Sequence, residues 1–159
     1  NMAELEVGSL IPEFEIVNQD GSVVKSQSLK GKWTVLYFYP KDNTPGCSQE
    51  AVEFSDYKEE LEKIGVKVLG VSKDSVSSHK KFIEKKELKI ELLSSEGNNM
   101  ADNYGVCQLK KNYGKEYIGI VRTTYIISPE LKVTEVWKKV KVKGHVEEVV
   151  AKVKELAVK

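Results

Sequence analysis

Tyr37-Phe38-Tyr39-Pro40-Lys41-Asp42-Asn43-Thr44-Pro45-Gly46-Cys47-Ser48-Gln49-Glu50 joins an apolar run, Trp33 to Tyr39, to a segment with helical spacing, and places one of only two cysteines at the junction. The apolar run is near-continuous, the pattern of a strand buried on both faces. Thr44 followed by Pro45 is a helix-start signature: a Thr N-cap offers its oxygen to first-turn amides, and Pro fits the first helical position. Cys47 then falls at the third helical position. A sulfur there meets unpaired N–H donors and the positive end of the helix dipole, which favour thiolate over thiol.

Working outward, the apolar positions Ala51, Phe54, Tyr57, Leu61 and Ile64 are three or four residues apart, so a helix from Pro45 to Ile64 faces a sheet, and Gly65 ends it. Val66 to Val71 reads as the next strand, Ser75 to Glu87 as a helix capped near Ser75, and Ile90 to Leu93 as a short strand. This alternation implies parallel pairing through crossover helices. Upstream, Phe14 to Val17 and Ser22 to Val24 flank an Asp20-Gly21 turn, so the chain opens with a hairpin. Downstream, the sequence predicts a short helix from Gly97 to Tyr104 and a polar loop through Tyr117 that carries Cys107. Thr123 to Ile127 and Val133 to Trp137 form an antiparallel pair, and a last helix beginning at Gly144 buries Val146, Val149, Val150, Val153 and Leu156. Tyr104, Tyr113, Tyr117 and Tyr125 are core or interface candidates.

Periodicity alone leaves several α/β layouts open. The motif narrows them. Pro40-x-x-x-Thr44-x-x-Cys47 resembles the peroxiredoxin active-site pattern, and Tyr37 to Asp42, Thr44 to Cys47, Tyr113 to Tyr117 and Val121 to Thr124 resemble the Q-type branch, the bacterioferritin comigratory proteins. The resemblance covers nearly the whole chain. It implies an α/β, thioredoxin-like fold over residues 1–159 as a single domain, with a central mixed sheet flanked by helices and an N-terminal hairpin. It also implies a thiol peroxidase that reduces hydrogen peroxide and organic hydroperoxides through a Cys47 sulfenic acid, without a cofactor.

Such chemistry needs a nucleophile and a means of stabilising the leaving oxygen. For a cysteine whose pKa falls from about 8.5 to about 6, the thiolate fraction at pH 7 rises about 30-fold, while lost nucleophilicity removes roughly tenfold. Acidity therefore contributes about threefold, and preorganised donors aimed at the oxygens must supply the larger part. Thr44 brings a hydroxyl, and the amides of Gly46 and Cys47 are free helix-start donors. Pro40 lacks an N–H and walls the site without competing for the thiolate. Of the 25 basic residues one is Arg, and Arg122 lies inside the apolar run Ile118 to Ile127. Arg stays charged when partly buried and presents a rigid fork of donors, and in the family the matching Arg contacts sulfur and peroxide.

Bland readings stand beside these. Cys47 could be a small buried hydrophobe, Thr44 only an N-cap, and Arg122 an ion-pair partner of Glu50 or Glu53. His79 and His145 lie in Lys- and Glu-rich contexts that predict exposed surface. The two Cys and two His show no metal-ligand spacing, and no metal site is expected. The alternating run Lys138 to Lys143 reads as protection of an exposed edge.

Many Q-type relatives carry a resolving cysteine five residues after the peroxidatic one; here that residue is Val52. Either an external thiol, small or on a thioredoxin-like protein, attacks the sulfenic acid, or Cys107 resolves it within the chain or across a dimer. Other readings of Cys47 are a peroxide-sensing switch or holdase chaperone, and a disulfide reductase, the latter opposed by the absence of a Cys-x-x-Cys pair. Near-balanced charge, 25 basic against 24 acidic residues, gives no pull toward nucleic acid or an anionic membrane. No apolar run approaches the ~18 residues that span a bilayer, and two cysteines are too few for a secreted disulfide scaffold, so a cytoplasmic protein, monomer or homodimer, is expected. Asn1, preceding Met2, is expected to be tag-derived.

Overall fold

In the computed structural model, which describes residues 4–159, five strands form the central sheet. The expectation for Asn1 lies outside the described residues. The chain opens with a hairpin of β1 (Glu15–Val17) and β2 (Val23–Lys25), whose turn is fastened by Asn18 Oδ1 accepting from the amides of Asp20 and Ser22. Then follow β3 (Trp33–Phe38), α1 (Pro45–Lys63), β4 (Val66–Ser72), α2 (Val76–Lys86), β5 (Glu91–Ser94) and the single-turn α3 (Met100–Asn103). The second half comprises β6 (Cys107–Asn112), β7 (Lys115–Ile120), β8 (Thr123–Ile127), β9 (Val133–Trp137) and α4 (His145–Ala157).

The sheet order is β5-β4-β3-β8-β9, with β3, β4 and β5 parallel, β8 antiparallel to β3 and β9 antiparallel to β8, the mixed thioredoxin-like arrangement. Strand alternation sorts β3 into two cores. Val35, Tyr37 and Tyr39 pack with Phe54 and Leu61 of α1, Phe82 of α2 and the valines of α4. Leu36 and Phe38 pack on the other face with Phe14, Ile16, Met100 and Tyr104.

Several boundaries follow the sequence closely. Ser75 caps α2 through its hydroxyl, and Gly65 takes φ 78° just after α1. Two expectations are corrected. Residues 107–120 form a hairpin instead of a polar loop, with Leu109 facing Ile118 across the ladder and Tyr113 (φ 53°) with Gly114 (φ 78°) making the tight turn. The signal was there in the alternation of Cys107 with Leu109 and of Ile118 with Ile120, but interleaved lysines and exposure on this free-standing ribbon masked it. The lysine run is not on a strand either, since β9 ends at Trp137 and residues 138–143 cross the end of the sheet as a loop. Tyr104 and Tyr125 are buried as expected, whereas Tyr113 and Tyr117 are exposed.

Candidate active site

The C-terminal end of β3 feeds the Pro40–Thr44 loop, and α1 begins immediately after it. Pro45 takes the first helical position and Cys47 the third, with only 2% of Cys47 exposed. The first intrahelical bond runs from the Ser48 amide to the Thr44 carbonyl at 2.8 Å. The amides of Gly46 and Cys47 precede it and have no intrahelical acceptor.

Thr44 occupies the N-cap with extended backbone (φ −92°, ψ 156°), but its hydroxyl does not cap the helix as expected. It donates to the Lys41 carbonyl at 2.9 Å, so its oxygen retains lone pairs that can accept a further hydrogen bond. Pro40 is exposed at the loop's start.

Antiparallel pairing of Phe38 with Thr123 brings the β7–β8 junction beside this loop, and Arg122 reaches in from there. Its Nη2 donates to Cys47 Sγ at 3.4 Å and its Nη1 to Glu50 Oε1 at 2.6 Å. One planar guanidinium thus bridges two side chains three residues apart on α1. Of the two acids considered for Arg122, Glu50 is the partner; Glu53 accepts from Gln49 Nε2. Gly46 permits this approach, since a Cβ there would lie 3.3 Å from Arg122 Nη2.

Glu50 is fully buried, and burial, only partly offset by Arg122, raises its pKa from 4.5 to about 7. Beneath it Tyr37 is stacked on Phe54 with centroids 4.7 Å apart, and burial together with the nearby Glu50 and Cys47 charges holds its hydroxyl protonated. Tyr37 was not singled out in the sequence. Its requirement shows instead at Gly70, where a Cβ would sit 2.8 Å from the Tyr37 ring.

A measurable pH dependence follows. A group that binds its proton more tightly in the folded state withdraws stability as pH rises from its unfolded to its folded pKa. Glu50→Gln, which mimics the protonated form, is therefore expected to gain stability relative to wild type between pH 4.5 and about 7 and to level off above. His145, lowered to about 4 chiefly by burial, acts oppositely, so urea denaturation must be read as the difference between Glu50→Gln and wild type. A pH-independent difference would refute the assignment.

Both histidines depart from the expected exposed surface. His145 is buried, its Nε2 2.8 Å from Thr124 Oγ1 and its ring edge-on to Trp137. His79 is fully buried: Nε2 lies 2.9 Å from the Leu93 carbonyl and Nδ1 2.7 Å from Asp42 Oδ2. Asp42 also accepts from Tyr39 and Ser78 hydroxyls, so the loop before Thr44 is tied to β3 and α2 together. The Lys- and Glu-rich context of His79 predicts exposure because it shows nothing of the acid the ring meets, which is 37 positions away.

Cys107 packs in the core on the other face of the sheet, with Leu36, Phe38, Tyr104 and Ile120, whereas Cys47 belongs to the core containing Tyr37 and Tyr39. Burial, then the neighbouring Asp102, raises the Cys107 pKa. Both cysteines are free. No cluster of three metal-ligating side chains occurs among the described residues, and no helix there is long and apolar enough to cross a membrane.

Residues 7–136 match the AhpC/TSA family. Peroxiredoxin Bcp of Bacillus subtilis is 43% identical over 155 residues, covering 98% of this chain and 99% of its own length. Among solved structures, a Cys-to-Ser mutant of Xylella fastidiosa PrxQ superposes with a TM-score of 0.91 at 36% identity, covering 98% of this chain and 99% of its own. The bacterioferritin comigratory protein of Xanthomonas campestris, studied for its alkyl peroxide reduction activity, superposes at 0.85 with 39% identity over 91% of this chain and 92% of its own. With matches of this length and identity around a cysteine and arginine in contact, the chain belongs to the AhpC/TSA family and is a thiol-dependent peroxidase of the peroxiredoxin Bcp, or Q, type.

Proposed function

We propose that Cys47 is the peroxidatic nucleophile, that hydrogen peroxide and organic hydroperoxides are its substrates, and that an external thiol returns its sulfenic acid to the thiol. The observation that carries this reading is the Arg122 guanidinium held against Cys47 Sγ by Glu50. The Cys47 thiolate attacks the terminal peroxide oxygen, an S–O bond forms as the O–O bond breaks, and the departing alkoxide or hydroxide takes a proton to leave as alcohol or water. Arg122 and the amides of Gly46 and Cys47 stabilise the charge that develops on the oxygens. The Thr44 oxygen accepts from the peroxide O–H and turns the terminal oxygen toward sulfur. Pro40 closes one side of the site without offering a competing donor.

The alkyl peroxide reduction described for the Xanthomonas relative supports organic hydroperoxides as substrates. An external reductant is supported by the positions of the two cysteines. The two cysteines belong to separate cores, Cys107 with Leu36 and Phe38 and Cys47 with Tyr37 and Tyr39, and Val52 offers no thiol on α1.

Intact mass after one equivalent of hydrogen peroxide tests both parts. The expected product gains one oxygen, trapped at Cys47 by a sulfenic-acid reagent, and Cys47→Ser gains none. A loss of two hydrogens, or a covalent dimer abolished by Cys107→Ser, would assign resolution to Cys107 instead.

A further inference from the structure

The reductant must approach over the surface around Cys47, and that surface carries a charge the whole chain does not. The loop after β9 lies against the site at two points: the Val140 amide donates to the Arg122 carbonyl at 3.0 Å, and Val142 Cγ2 lies 3.8 Å from where a Gly46 Cβ would stand. Val140 and Val142 are half-buried, and Lys139, Lys141 and Lys143 beside them are exposed. Lys138 lies 3.7 Å from Glu4, but the other three have no carboxylate partner among the described residues. The acid at the site, Glu50, is buried and bound to Arg122, and of the two exposed acids in the first turn of α4, Glu147 and Glu148, the second accepts from Trp137 Nε1. On the β6–β7 side, Lys110 donates to the Ile120 carbonyl at 2.6 Å and lies in the field of Arg122 and Cys47. With 25 basic and 24 acidic residues overall, this excess is local to the mouth of the site.

Resting on the reading that an external thiol completes the cycle, we infer that Lys139, Lys141 and Lys143 select a small thiol bearing carboxylates as the reductant of the Cys47 sulfenic acid. A peroxide is neutral and gains nothing from these charges. The attacking thiolate is an anion, and carboxylates on the same molecule multiply its attraction to the rim. Its sulfur attacks Cys47 Sγ, an S–S bond forms, the S–O bond breaks, and hydroxide leaves with a proton as water. A second thiolate attacks the outer sulfur of this mixed disulfide, releasing the small-molecule disulfide and the Cys47 thiolate. The low exposure of Cys47 suits a small molecule better than a protein face.

The test measures reduction of preformed Cys47 sulfenic acid by mercaptosuccinate, 2-mercaptoethanol and cysteamine, each corrected for its thiolate fraction and intrinsic nucleophilicity. At about 20 mM ionic strength, mercaptosuccinate is expected to exceed cysteamine about tenfold or more. At about 0.5 M, where the screening length is about 4 Å, the ratio should approach one. The Lys139→Glu, Lys141→Glu, Lys143→Glu triple variant should reverse the order. Lys30→Glu, Lys32→Glu, Lys89→Glu, the same charge change at the opposite end of the sheet, should keep it. A ratio near one in wild type, or one that follows both triple variants equally, overturns the selection by this rim while leaving the external-thiol reading intact. A sulfenic acid that none of the three thiols reduces overturns the small-thiol selection, and one that a thioredoxin-like dithiol protein also fails to reduce overturns the external-thiol reading.

Discussion

Arg122→Ala is expected to lower the second-order rate constant for hydrogen peroxide by about 10²–10³-fold, the effect of removing one preorganised donor from an oxyanion site. The size of the loss follows from what the guanidinium does at once. It holds the sulfur at 3.4 Å and Glu50 at 2.6 Å, and in the proposed mechanism the same rigid fork presents its charge to the peroxide oxygens. Lowering a thiol's pKa yields about threefold at neutral pH, as argued above, so most of the rate has to come from such donors. Arg122→Lys keeps the charge, but one ammonium cannot reproduce two donors fixed on two partners, and it should fall nearer to Ala than to wild type.

Stability should respond less than activity. Loss of a cation from a buried pair commonly costs about 3–5 kcal/mol because an uncompensated charge remains. Glu50 already has its pKa raised to about 7, so it escapes that penalty by binding a proton. Stopped-flow peroxide consumption and urea denaturation of the same preparation separate the two effects. An Arg122→Ala enzyme within about threefold of wild type would remove the guanidinium from the mechanism, leaving the Gly46 and Cys47 amides as the remaining donors.

The parts of this protein legible in its sequence are those where local chemistry and long-range structure agree. Thr44-Pro45 starts α1, placing Cys47 at its third position, and the one arginine in a chain of lysines marks the point where charge enters an apolar run. What could not be read is set by partners distant in sequence. Thr44 has an N-cap backbone, yet its hydroxyl serves the Lys41 carbonyl, which only the loop's conformation decides. The β6–β7 ribbon lacks a strand's composition because one turn residue pair and a few alternating apolar residues suffice to fold it. His79 carries a helical neighbourhood typical of solvent, and only tertiary packing brings Asp42, Tyr39 and the Leu93 carbonyl around it.

That histidine supplies the second large effect. His79→Ala should lower the unfolding free energy by about 3–5 kcal/mol, a substantial part of the 5–15 kcal/mol typical of a domain. His79 is fully buried and the Asp42 side chain is 4% exposed, so the substitution takes one of three partners from the carboxylate and the ring nitrogen from the Leu93 carbonyl in a place where water does not readily replace them. His79→Phe separates packing from hydrogen bonding. It restores most of the ring volume but no donor, and a loss of more than about 2 kcal/mol should persist. The consequence for function lies in the loop. Asp42 carries Tyr39, Ser78 and His79 on one carboxylate, and its own amide is bound by Asp74 at 2.9 Å, so α2 fixes the backbone that presents Thr44 two residues later. Under conditions where both variants remain folded, the peroxide rate constant should fall while Arg122 remains in place, because the acceptor geometry at Thr44 loosens before the helix does. Variants within about 0.5 kcal/mol of wild type, the range of ordinary surface changes, would show that the Asp42–His79 contact contributes no more than a surface pair.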